Sequence, residues 1–340
     1  MNGSRSINWN MTSTNSLDES TFSTEVTVFP LIVGFLTCVI ILISNLLVLI
    51  VLICQPEIRK NYRIEFILWL CLSDIVVGIS GLLFVCNFLI KGLSKNTHYC
   101  SLMYYFIAAG IGQSLAQTFL ICIDRHMAVV ANVRYKLFNK KYRYIVIFGT
   151  WVFIHTYVGT LVAVFMRTDY ITYCSAKSFP YSKLFLTAIN VLFLSLLLAI
   201  PCLYISTMIS FRNRSKRTHN YPNVILSVVN SAPSSQSTQN IAHFLEKNKI
   251  RHKYEKHVLV TTGLIVVVFL LLNGPFLFII IFLEGNDFIA VQRSTRILIS
   301  LMTFLNSAVN PMLYAWRIRK VRQIFIKFIC RCKTNETQQY

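Results

Sequence analysis

The chain has 340 residues, of which 55% are hydrophobic and only 14% are charged. A soluble domain usually carries about 25% charged residues, so this composition excludes a protein that folds in water and indicates an integral membrane protein. The formal net charge is +20, but the basic residues lie in loops between apolar stretches, which favours anionic lipid headgroups and acidic faces of cytoplasmic proteins over nucleic acid as partners.

Residues 1–27 are rich in Ser, Thr and Asn and contain no apolar core, which predicts a disordered tail. No basic and then apolar region follows Met1, so no cleavable signal peptide is expected. Two sequences in the tail, beginning at Asn2 and Asn10, match the acceptor pattern for N-glycosylation. They fit a tail that lies outside the cell.

Seven apolar stretches follow the tail, and each is long enough to cross a bilayer, which takes about 20 residues. The predicted fold class is therefore an all-α membrane protein, a seven-transmembrane helix bundle over residues 28–316. One connection, 211–256, is a long cytoplasmic loop, and its centre, 227–240, is low in aromatic residues, which predicts that this centre is flexible. The predicted spans are 28–54, 64–90, 100–131, 144–166, 182–210, 257–283 and 294–316.

The basic residues predict the orientation of these spans. Loops on the cytoplasmic side of a membrane carry an excess of Lys and Arg. All but eight of the 33 Lys and Arg residues fall on one side, which places the amino terminus outside and the carboxyl terminus inside. The eight on the outer side are Arg5, Lys91, Lys95, Arg167, Lys177, Lys183, Arg293 and Arg296.

Residues 317–340 follow the seventh span. Apolar residues recur there at helical spacing from Ile318 to Ile329, with Arg and Lys between them. This pattern predicts a short amphipathic helix on the inner leaflet and then a cytoplasmic tail. Cys330 and Cys332 come directly afterwards and are predicted palmitoylation sites, since acyl chains there would add a second anchor. The alternative is a pair of unmodified thiols.

Asp74 is the carboxylate that we expect deep within a span, where an acid costs several kcal/mol unless it finds a partner. A carboxylate with hydroxyl and amide oxygens at one depth can hold a small hard cation, and Na⁺ suits a single negative charge. The alternative is a protonated or water-bridged Asp74 that ties three helices together. The polar residues at similar depth are Asn45, Ser114, Asn306, Ser307 and Asn310.

Two further motifs lie at inner ends of spans. The third span closes with Asp124 and Arg125, a pair that interacts where the membrane meets water or serves only as interfacial anchors. The seventh span carries Pro311, which removes a backbone hydrogen bond and predicts a hinge. Tyr314 follows this hinge, and its hydroxyl can change partners when the hinge moves.

Taken together, these motifs resemble those of the rhodopsin-like (class A) G-protein-coupled receptors, and the resemblance covers residues from roughly 30 to 330. It implies a plasma-membrane receptor that binds an extracellular ligand and activates heterotrimeric G proteins, with arrestin as a further partner. The residues that carry it are Asn45, Leu72-Ser73-Asp74, Cys100, Asp124-Arg125-His126, Trp151, Cys174 and Asn310-Pro311-Met312-Leu313-Tyr314.

The resemblance assigns roles to particular residues. It implies a disulfide between Cys100 and Cys174, which both lie on the oxidising side. It implies that Arg125 is held at rest by Asp124 and by Glu255 at the base of the sixth span. On activation, the sixth span would swing outward and open a cleft for a G-protein α-subunit. The residues implied to accompany this change are Tyr204 and Tyr314, which would stabilise the open form, and Phe269, which would shift its packing.

Three positions depart from the family pattern. The sixth span reads Leu272-Asn273-Gly274-Pro275 where the family usually has Cys-Trp-x-Pro. Asn273 therefore replaces the tryptophan that reports the ligand, and it would join the Asp74 cluster or bind a water. Pro201 lies one turn before Tyr204 instead of two, and His126 replaces a tyrosine. We hypothesise that ligand transmission is unusual and that basal activity is raised, which basal signalling no higher than in mock-transfected cells would contradict.

The family geometry also implies a ligand pocket between the outer halves of spans three, five, six and seven. Ile107 stands where receptors for biogenic amines carry an aspartate, and the seventh span has no lysine to hold retinal. The segment after Asn306 is similar to that of adenosine receptors, but Ile280 and Phe304 replace the residues that hold the nucleoside. A lipid-like, small neutral or peptide ligand therefore remains open, in a mostly apolar pocket. The implied lining residues are Tyr104, Ile107, Ala108, Ile111, Ala188, Leu192, Asn273, Phe276, Leu277, Ile280, Ser300 and Phe304.

Arg296 and Arg293 stand near the rim of this pocket and either recruit an anionic headgroup or are solvated interfacial bases.

Two other classes of protein are alternatives to a receptor. A transporter would need charged residues along a path, yet only Asp74 is expected deep in the bundle. A receptor-like scaffold that does not activate G proteins fits the altered sixth span. No nucleophile paired with a His and an acid and no Gly-rich phosphate loop is present in the sequence, so an enzyme is not expected.

Overall fold

The computed structural model describes residues 28–54, 63–90, 92–130, 140–165, 174, 182–229, 235–282, 293–317 and 323. Within this part of the chain there are seven long helices and one short 3₁₀ helix (Leu93–Lys95), and no strand. We number the long helices in chain order as α1 (Val28–Cys54), α2 (Arg63–Leu89), α3 (Thr97–Val130), α4 (Lys140–Phe165), α5 (Ser182–Val229), α6 (Ser235–Phe282) and α7 (Arg293–Arg317).

Several predicted features fall outside the described residues. These are the glycosylation sites at Asn2 and Asn10, the thiols of Cys330 and Cys332, and almost all of the predicted amphipathic helix and tail. In α6 and α7 the backbone is described throughout, but some side chains are not. Those that concern the predictions are Leu277, Ile280, Arg293, Arg296, Ser300 and Tyr314.

The predicted helix bundle is confirmed. Helices α1 to α4 and α7 begin and end within four residues of the predicted spans. Over their described residues, α1 to α6 are each long and apolar enough to cross a membrane. Large apolar side chains such as Phe148 and Phe153 of α4 are exposed on the outside of the bundle, where lipid would cover them.

Helices α5 and α6 extend beyond the predicted spans, because both continue into the segment 211–256 that was expected to be a loop with a flexible centre. Residues 230–234 of that centre lie outside the described residues. Each is 48 residues long, which at 1.5 Å per residue is roughly 70 Å, more than twice the thickness of the hydrocarbon core. Residues 244–256 are rich in Lys and Glu, which favour helix. A helix that is already formed also extends without a new nucleation step.

Helix α3 lies at the centre of the bundle. In the apolar part of α3 that could cross a membrane, 78% of the residues are buried, against 17% for α4. Helix α3 packs against α2, α4, α5 and α6. Small residues allow this close packing. A β-carbon at Gly110 would lie 3.3 Å from Val77 of α2, and one at Gly112 would lie 3.2 Å from Phe193 of α5.

Helix α2 approaches α1 and α7 at two glycines. A β-carbon at Gly78 would lie 2.8 Å from Leu42 of α1, and one at Gly81 would lie 3.1 Å from Phe304 of α7. Residues that are four apart lie on one face of a helix, so Asp74 faces the same junction as Gly78. The close packing of these glycines therefore carries Asp74 into the interior, where it is fully buried.

Candidate functional site

The outer end of α3 is fixed by a disulfide and a hydrogen bond. Cys100 and Cys174 form the predicted disulfide, with their α-carbons 5.5 Å apart. It ties the segment between α4 and α5 to the first turn of α3. The Tyr99 hydroxyl donates to the carbonyl of Leu83 in α2. The outer end of α3 is therefore joined both to its neighbouring helix and to the outer loop.

The structure brings together the described members of the predicted pocket. They come from α3, α5, α6 and α7, and most belong to one hydrophobic cluster that extends from Cys100 at the outer end of α3 to Cys122 near its inner end. Ala108, Ile111 and Phe304 are buried in that cluster, and Tyr104, Ile107, Leu192 and Phe276 pack against it. Ala188 lies beside them, and its carbonyl accepts a hydrogen bond of 2.9 Å from Tyr157 of α4.

Asn273 does not join the Asp74 cluster among the described contacts. Its side-chain amide donates to the carbonyl of Phe269, one turn earlier in α6, at 3.0 Å. An amide that bonds to its own helix makes no direct contact with a neighbouring helix through that bond. Phe269 itself is only 1% exposed and packs in the same hydrophobic cluster as Phe304.

Asp74 is bonded to two neighbouring helices. Its Oδ1 accepts hydrogen bonds of 2.7 Å from Ser114 of α3 and from Ser307 of α7, and its Oδ2 accepts one of 2.9 Å from Asn310 of α7. Asn45 of α1 donates to the carbonyl of Ser307 at 3.0 Å. Four helices thus meet at one buried carboxylate.

This donor set is chemically suited to Na⁺, because it combines one carboxylate with hydroxyl oxygens that keep free lone pairs. Asn306 is also buried in α7, but no contact between it and Asp74 appears among the described bonds. The Asn310 amide turns its nitrogen toward Asp74, so the groups around the carboxylate here act as hydrogen-bond donors.

A polar network between α3 and α4 escaped the sequence analysis. Gln117 donates to the Thr150 hydroxyl at 3.2 Å. In the orientation that satisfies its neighbours, Gln113 accepts a bond of 3.0 Å from the indole of Trp151. Trp151 stacks on His155, with ring centroids 5.2 Å apart. Two glutamines in an otherwise apolar span were the available signal, since polar groups inside a membrane pair across helices.

At the inner end of α3, Arg125 and Asp124 form an ion pair of 2.6 Å. Their side chains are only 6% and 2% exposed. His126, the next residue, shares a hydrogen bond of 3.0 Å with Thr207 of α5. The structure therefore shows the part of the predicted switch in which Arg125 is held by the adjacent acid.

The other predicted restraint on Arg125 is not formed. Glu255 of α6 instead lies 3.7 Å from Arg214 of α5, and the described side chains show no ion pair between Arg125 and Glu255. The physical reason is the length of α5. Its extension places a second arginine beside Glu255, and this arginine is more accessible than the buried Arg125.

Tyr204 of α5, another predicted switch residue, lies against α6. Its hydroxyl donates to the carbonyl of Leu259 at 3.4 Å. Its ring covers Gly263, where an added β-carbon would lie 2.7 Å from the ring carbon Cζ. Gly263 thus provides the space that holds Tyr204 in this position. Pro311, the predicted hinge residue of α7, is buried.

A second buried ion pair lies near the inner end of the bundle. Arg143 of α4 is 3.3 Å from Glu65 of α2, and these side chains are 11% and 10% exposed. Arg143 also lines a small, mainly apolar pocket together with Asp124 and Met127. The pair joins α2 to α4 beside the acid that holds Arg125, and the sequence analysis did not single it out.

A bundle of seven helices with a central third helix that ends in a buried acid–base pair is the architecture of a seven-transmembrane receptor. Residues 44–314 match the model of the family described as 7 transmembrane receptor (rhodopsin family). This match covers more than half of the chain, and the chain belongs to that family. The resemblance inferred from the motifs is thereby confirmed at the family level.

Individual relatives are distant. The chain is 24% identical over 318 residues to sphingosine 1-phosphate receptor 3 of Takifugu rubripes, covering 88% of this chain and 71% of the relative. It is 25% identical over 312 residues to sphingosine 1-phosphate receptor 1 of Danio rerio, covering 88% and 77%. It is 20% identical over 272 residues to melanocortin receptor 5 of Ovis aries, covering 77% and 72%. The similarity of the last span to adenosine receptors stays a prediction.

Proposed function

We propose that this protein is a plasma-membrane receptor that binds an extracellular ligand and activates heterotrimeric G proteins through outward movement of α6. The observation that carries the proposal is the buried pair of Arg125 and Asp124, 2.6 Å apart. Leaving one member of a buried ion pair without its partner costs about 3–5 kcal/mol. Arg125 is therefore released only when something offers it new contacts, and a G-protein α-subunit that enters the inner mouth would do so.

The packing of α6 supports the proposed movement. This helix packs mainly against α5 and α7 and only lightly against α3. A movement of its inner half away from α3 therefore separates few contacts, chiefly the buried cluster that Leu259 forms with Val129. Tyr204 is held against Gly263 and Leu259 of α6, so an outward movement of α6 would free its hydroxyl for other partners.

Guanine-nucleotide exchange on co-expressed Gα tests this proposal. The receptor should raise exchange above the level in mock-transfected cells, and Arg125→Ala should remove that signal at equal surface expression. Arg212→Ala is a matched control, because Arg212 is an exposed arginine at the inner part of α5. Equal exchange by the wild type and Arg125→Ala would contradict the proposal. No exchange under any condition would favour the receptor-like scaffold, for which the altered sequence around Asn273 is the supporting feature.

We further propose that the ligand is an amphiphilic lipid with an anionic headgroup. The described residues of the predicted pocket are mainly apolar. Ile107 offers no counter-ion to an amine, and Arg293 and Arg296 stand at the start of α7. Two of the relatives are named as sphingosine 1-phosphate receptors. The long apolar chain and the phosphate of that lipid match these features, whereas its amine would find no counter-ion at Ile107.

The ligand proposal is tested with a matched pair of lipids. A long-chain phosphate monoester should stimulate exchange, and the same lipid without its phosphate should do so at least tenfold more weakly, since charge-assisted hydrogen bonds are about twice as strong as neutral ones. Arg293→Gln with Arg296→Gln should remove the difference, whereas Lys95→Gln should keep it. Equal potency of the two lipids would contradict the proposal.

We also propose that Na⁺ binds at Asp74. The residues that would hold it are Asp74, Ser114 and Ser307, with Asn306 and Asn310 close by in α7. A bound cation would stabilise the carboxylate in its charged form. The stability of the purified receptor should therefore rise when Na⁺ replaces K⁺ at constant ionic strength, and Ser114→Ala should weaken this rise.

Location and modification complete the proposal. We infer that the amino terminus is extracellular and glycosylated at Asn2 and Asn10, and that Cys330 and Cys332 carry palmitoyl groups. Glycosidase treatment of intact cells should reduce the apparent mass of the receptor, and substitution of both asparagines should abolish that reduction. A receptor whose mass does not change on this treatment would contradict the glycosylation.

A further inference from the structure

The inner parts of α3, α5 and α6 are joined by a group of contacts that the family motifs do not include. We call this group the inner clamp and define it as Val129, Phe211, Arg214, Ser215, His252 and Glu255. The Phe211 ring stacks on His252 with centroids 5.0 Å apart, and His252 Nε2 lies 2.9 Å from the Ser215 hydroxyl. Glu255 lies 3.7 Å from Arg214. The clamp therefore combines a ring contact, a hydrogen bond and an ion pair.

The spacing of these residues makes the clamp a continuous interface. Phe211, Arg214 and Ser215 are three and four residues apart, so they share one face of α5. His252 and Glu255 are three residues apart and share one face of α6. One turn further along, Leu259 packs with Phe211 and with Val129 of α3 in a small buried cluster. The clamp thus begins where the membrane-embedded packing of α5 and α6 ends.

Arg214 makes polar contacts with both neighbouring helices. Its Nη1 donates to the carbonyl of Val129 at 3.3 Å and faces Glu255 of α6. The carbonyl of Val129 belongs to the last turn of α3 that the structure describes, Thr97–Val130, and carbonyls at the inner end of a helix are good acceptors for a guanidinium. A guanidinium placed there also interacts favourably with the negative end of the helix dipole.

We propose that Arg214, and not Arg125, holds the inner end of α6 in its closed position, by bridging the last turn of α3 to Glu255. Arg214 is then a positioning residue for the movement of α6. The proposal rests on the proposed function, since it concerns the same movement. Under this proposal the two arginines have different roles. Arg214 restrains α6, whereas Arg125 is held within α3 by Asp124 and receives the G protein.

The test measures the position of α6 directly, in full-length receptor reconstituted in nanodiscs without ligand or G protein. Spin labels are placed at Lys256→Cys of α6 and Ile145→Cys of α4, two exposed positions. The exposed cysteines Cys54 and Cys202 and the two tail cysteines are replaced by serine. Double electron–electron resonance then gives the ratio of open to closed populations for each variant.

Arg214→Gln and Glu255→Gln should each raise the open-to-closed ratio about three- to tenfold, the range expected for a partly exposed charged contact. The double variant should show no larger rise than the greater single one, because both changes remove the same contact. Arg212→Gln, an exposed arginine of the same helix, should leave the ratio at the wild-type value. Arg125→Gln combined with Glu255→Gln should show additive effects.

Charge reversal keeps the test informative if a single variant folds poorly. Arg214→Glu should open the inner mouth, and adding Glu255→Arg should restore part of the closed population, while Arg214→Lys should retain most of it. An open-to-closed ratio for Arg214→Gln equal to that of Arg212→Gln would overturn the proposal, as would additive effects of Arg214→Gln and Glu255→Gln. If α6 opens as expected but no variant promotes nucleotide exchange, the proposed function fails and the clamp stands.

Discussion

Gly263 holds Tyr204 against α6, and its replacement by alanine should shift the receptor toward the open form. In the structure a β-carbon at Gly263 would lie 2.7 Å from Cζ of Tyr204 and closer still to its hydroxyl. The Tyr204 side chain is half-buried, so rotation about its side-chain bonds can move the ring and its hydroxyl away from a methyl group at position 263. The substitution therefore displaces Tyr204 from α6 and removes its hydrogen bond to Leu259.

The size of the effect follows from the crowding. Inserting a methyl group into a packed site costs about 1–3 kcal/mol, and a movable neighbour puts the cost near the lower limit. The crowding exists only while Tyr204 lies on α6, so it destabilises the closed form alone. At about 1.4 kcal/mol per factor of ten, a cost of about 1 kcal/mol raises the open-to-closed ratio roughly fivefold.

Basal nucleotide exchange at matched surface expression measures this change. Gly263→Ala should raise basal exchange several-fold. Gly149→Ala is the control, because a β-carbon at Gly149 has no neighbour within 4 Å among the described residues while the gain in helix propensity is the same. In a Tyr204→Ala background, Gly263→Ala should have no further effect. Equal basal exchange by Gly263→Ala and Gly149→Ala would refute the reasoning.

Three further predictions concern stability, measured by thermal unfolding of purified receptor or by surface expression. Ser114→Ala removes one of the hydrogen bonds to the buried Asp74 carboxylate and should destabilise the receptor by about 1.5–3 kcal/mol. Glu65→Gln leaves the guanidinium of Arg143 buried without its acid and should cost on the order of 3 kcal/mol. Cys174→Ser opens the disulfide, which should cost about 4 kcal/mol and lower surface expression severely.

Each of these predictions has a control. Ser195→Ala removes a hydroxyl that bonds only within its own helix among the described contacts, and it should change stability by less than Ser114→Ala. The double variant Glu65→Leu with Arg143→Met should recover most of the stability lost in Glu65→Gln. Cys202→Ser replaces an exposed thiol and should not lower surface expression. A control that loses as much as its partner variant would contradict the corresponding prediction.

The features that sequence reasoning found are those that local chemistry determines. A bilayer requires long apolar runs, so the bounds of α1 to α4 and α7 were predictable to within four residues. Asp74 was identifiable because a carboxylate in an apolar helix must find partners, and Ser114 and Asn310 do contact it. The pairing of Cys100 with Cys174 came from the family resemblance, and the structure contains it.

The features that sequence reasoning missed depend on how two helices are placed relative to each other. Composition suggested a loop with a flexible centre over 211–256, but α5 and α6 both continue into this segment. That extension brings Arg214 to Glu255. No local sequence pattern predicts an ion pair between two residues on different helices. The contact between Gln117 and Thr150 also depends on the rotation of α3 against α4, which sequence periodicity does not fix.

The account depends on an outward movement of α6 when a G protein binds at the inner mouth. The most direct measurement is the distance between spin labels at Ile145→Cys and Lys256→Cys in nanodiscs, before and after addition of nucleotide-free heterotrimeric G protein. We predict a shift to longer distances that GTP reverses and that Arg125→Ala prevents. An unchanged distance, in a preparation where the G protein demonstrably binds the receptor, would contradict the account.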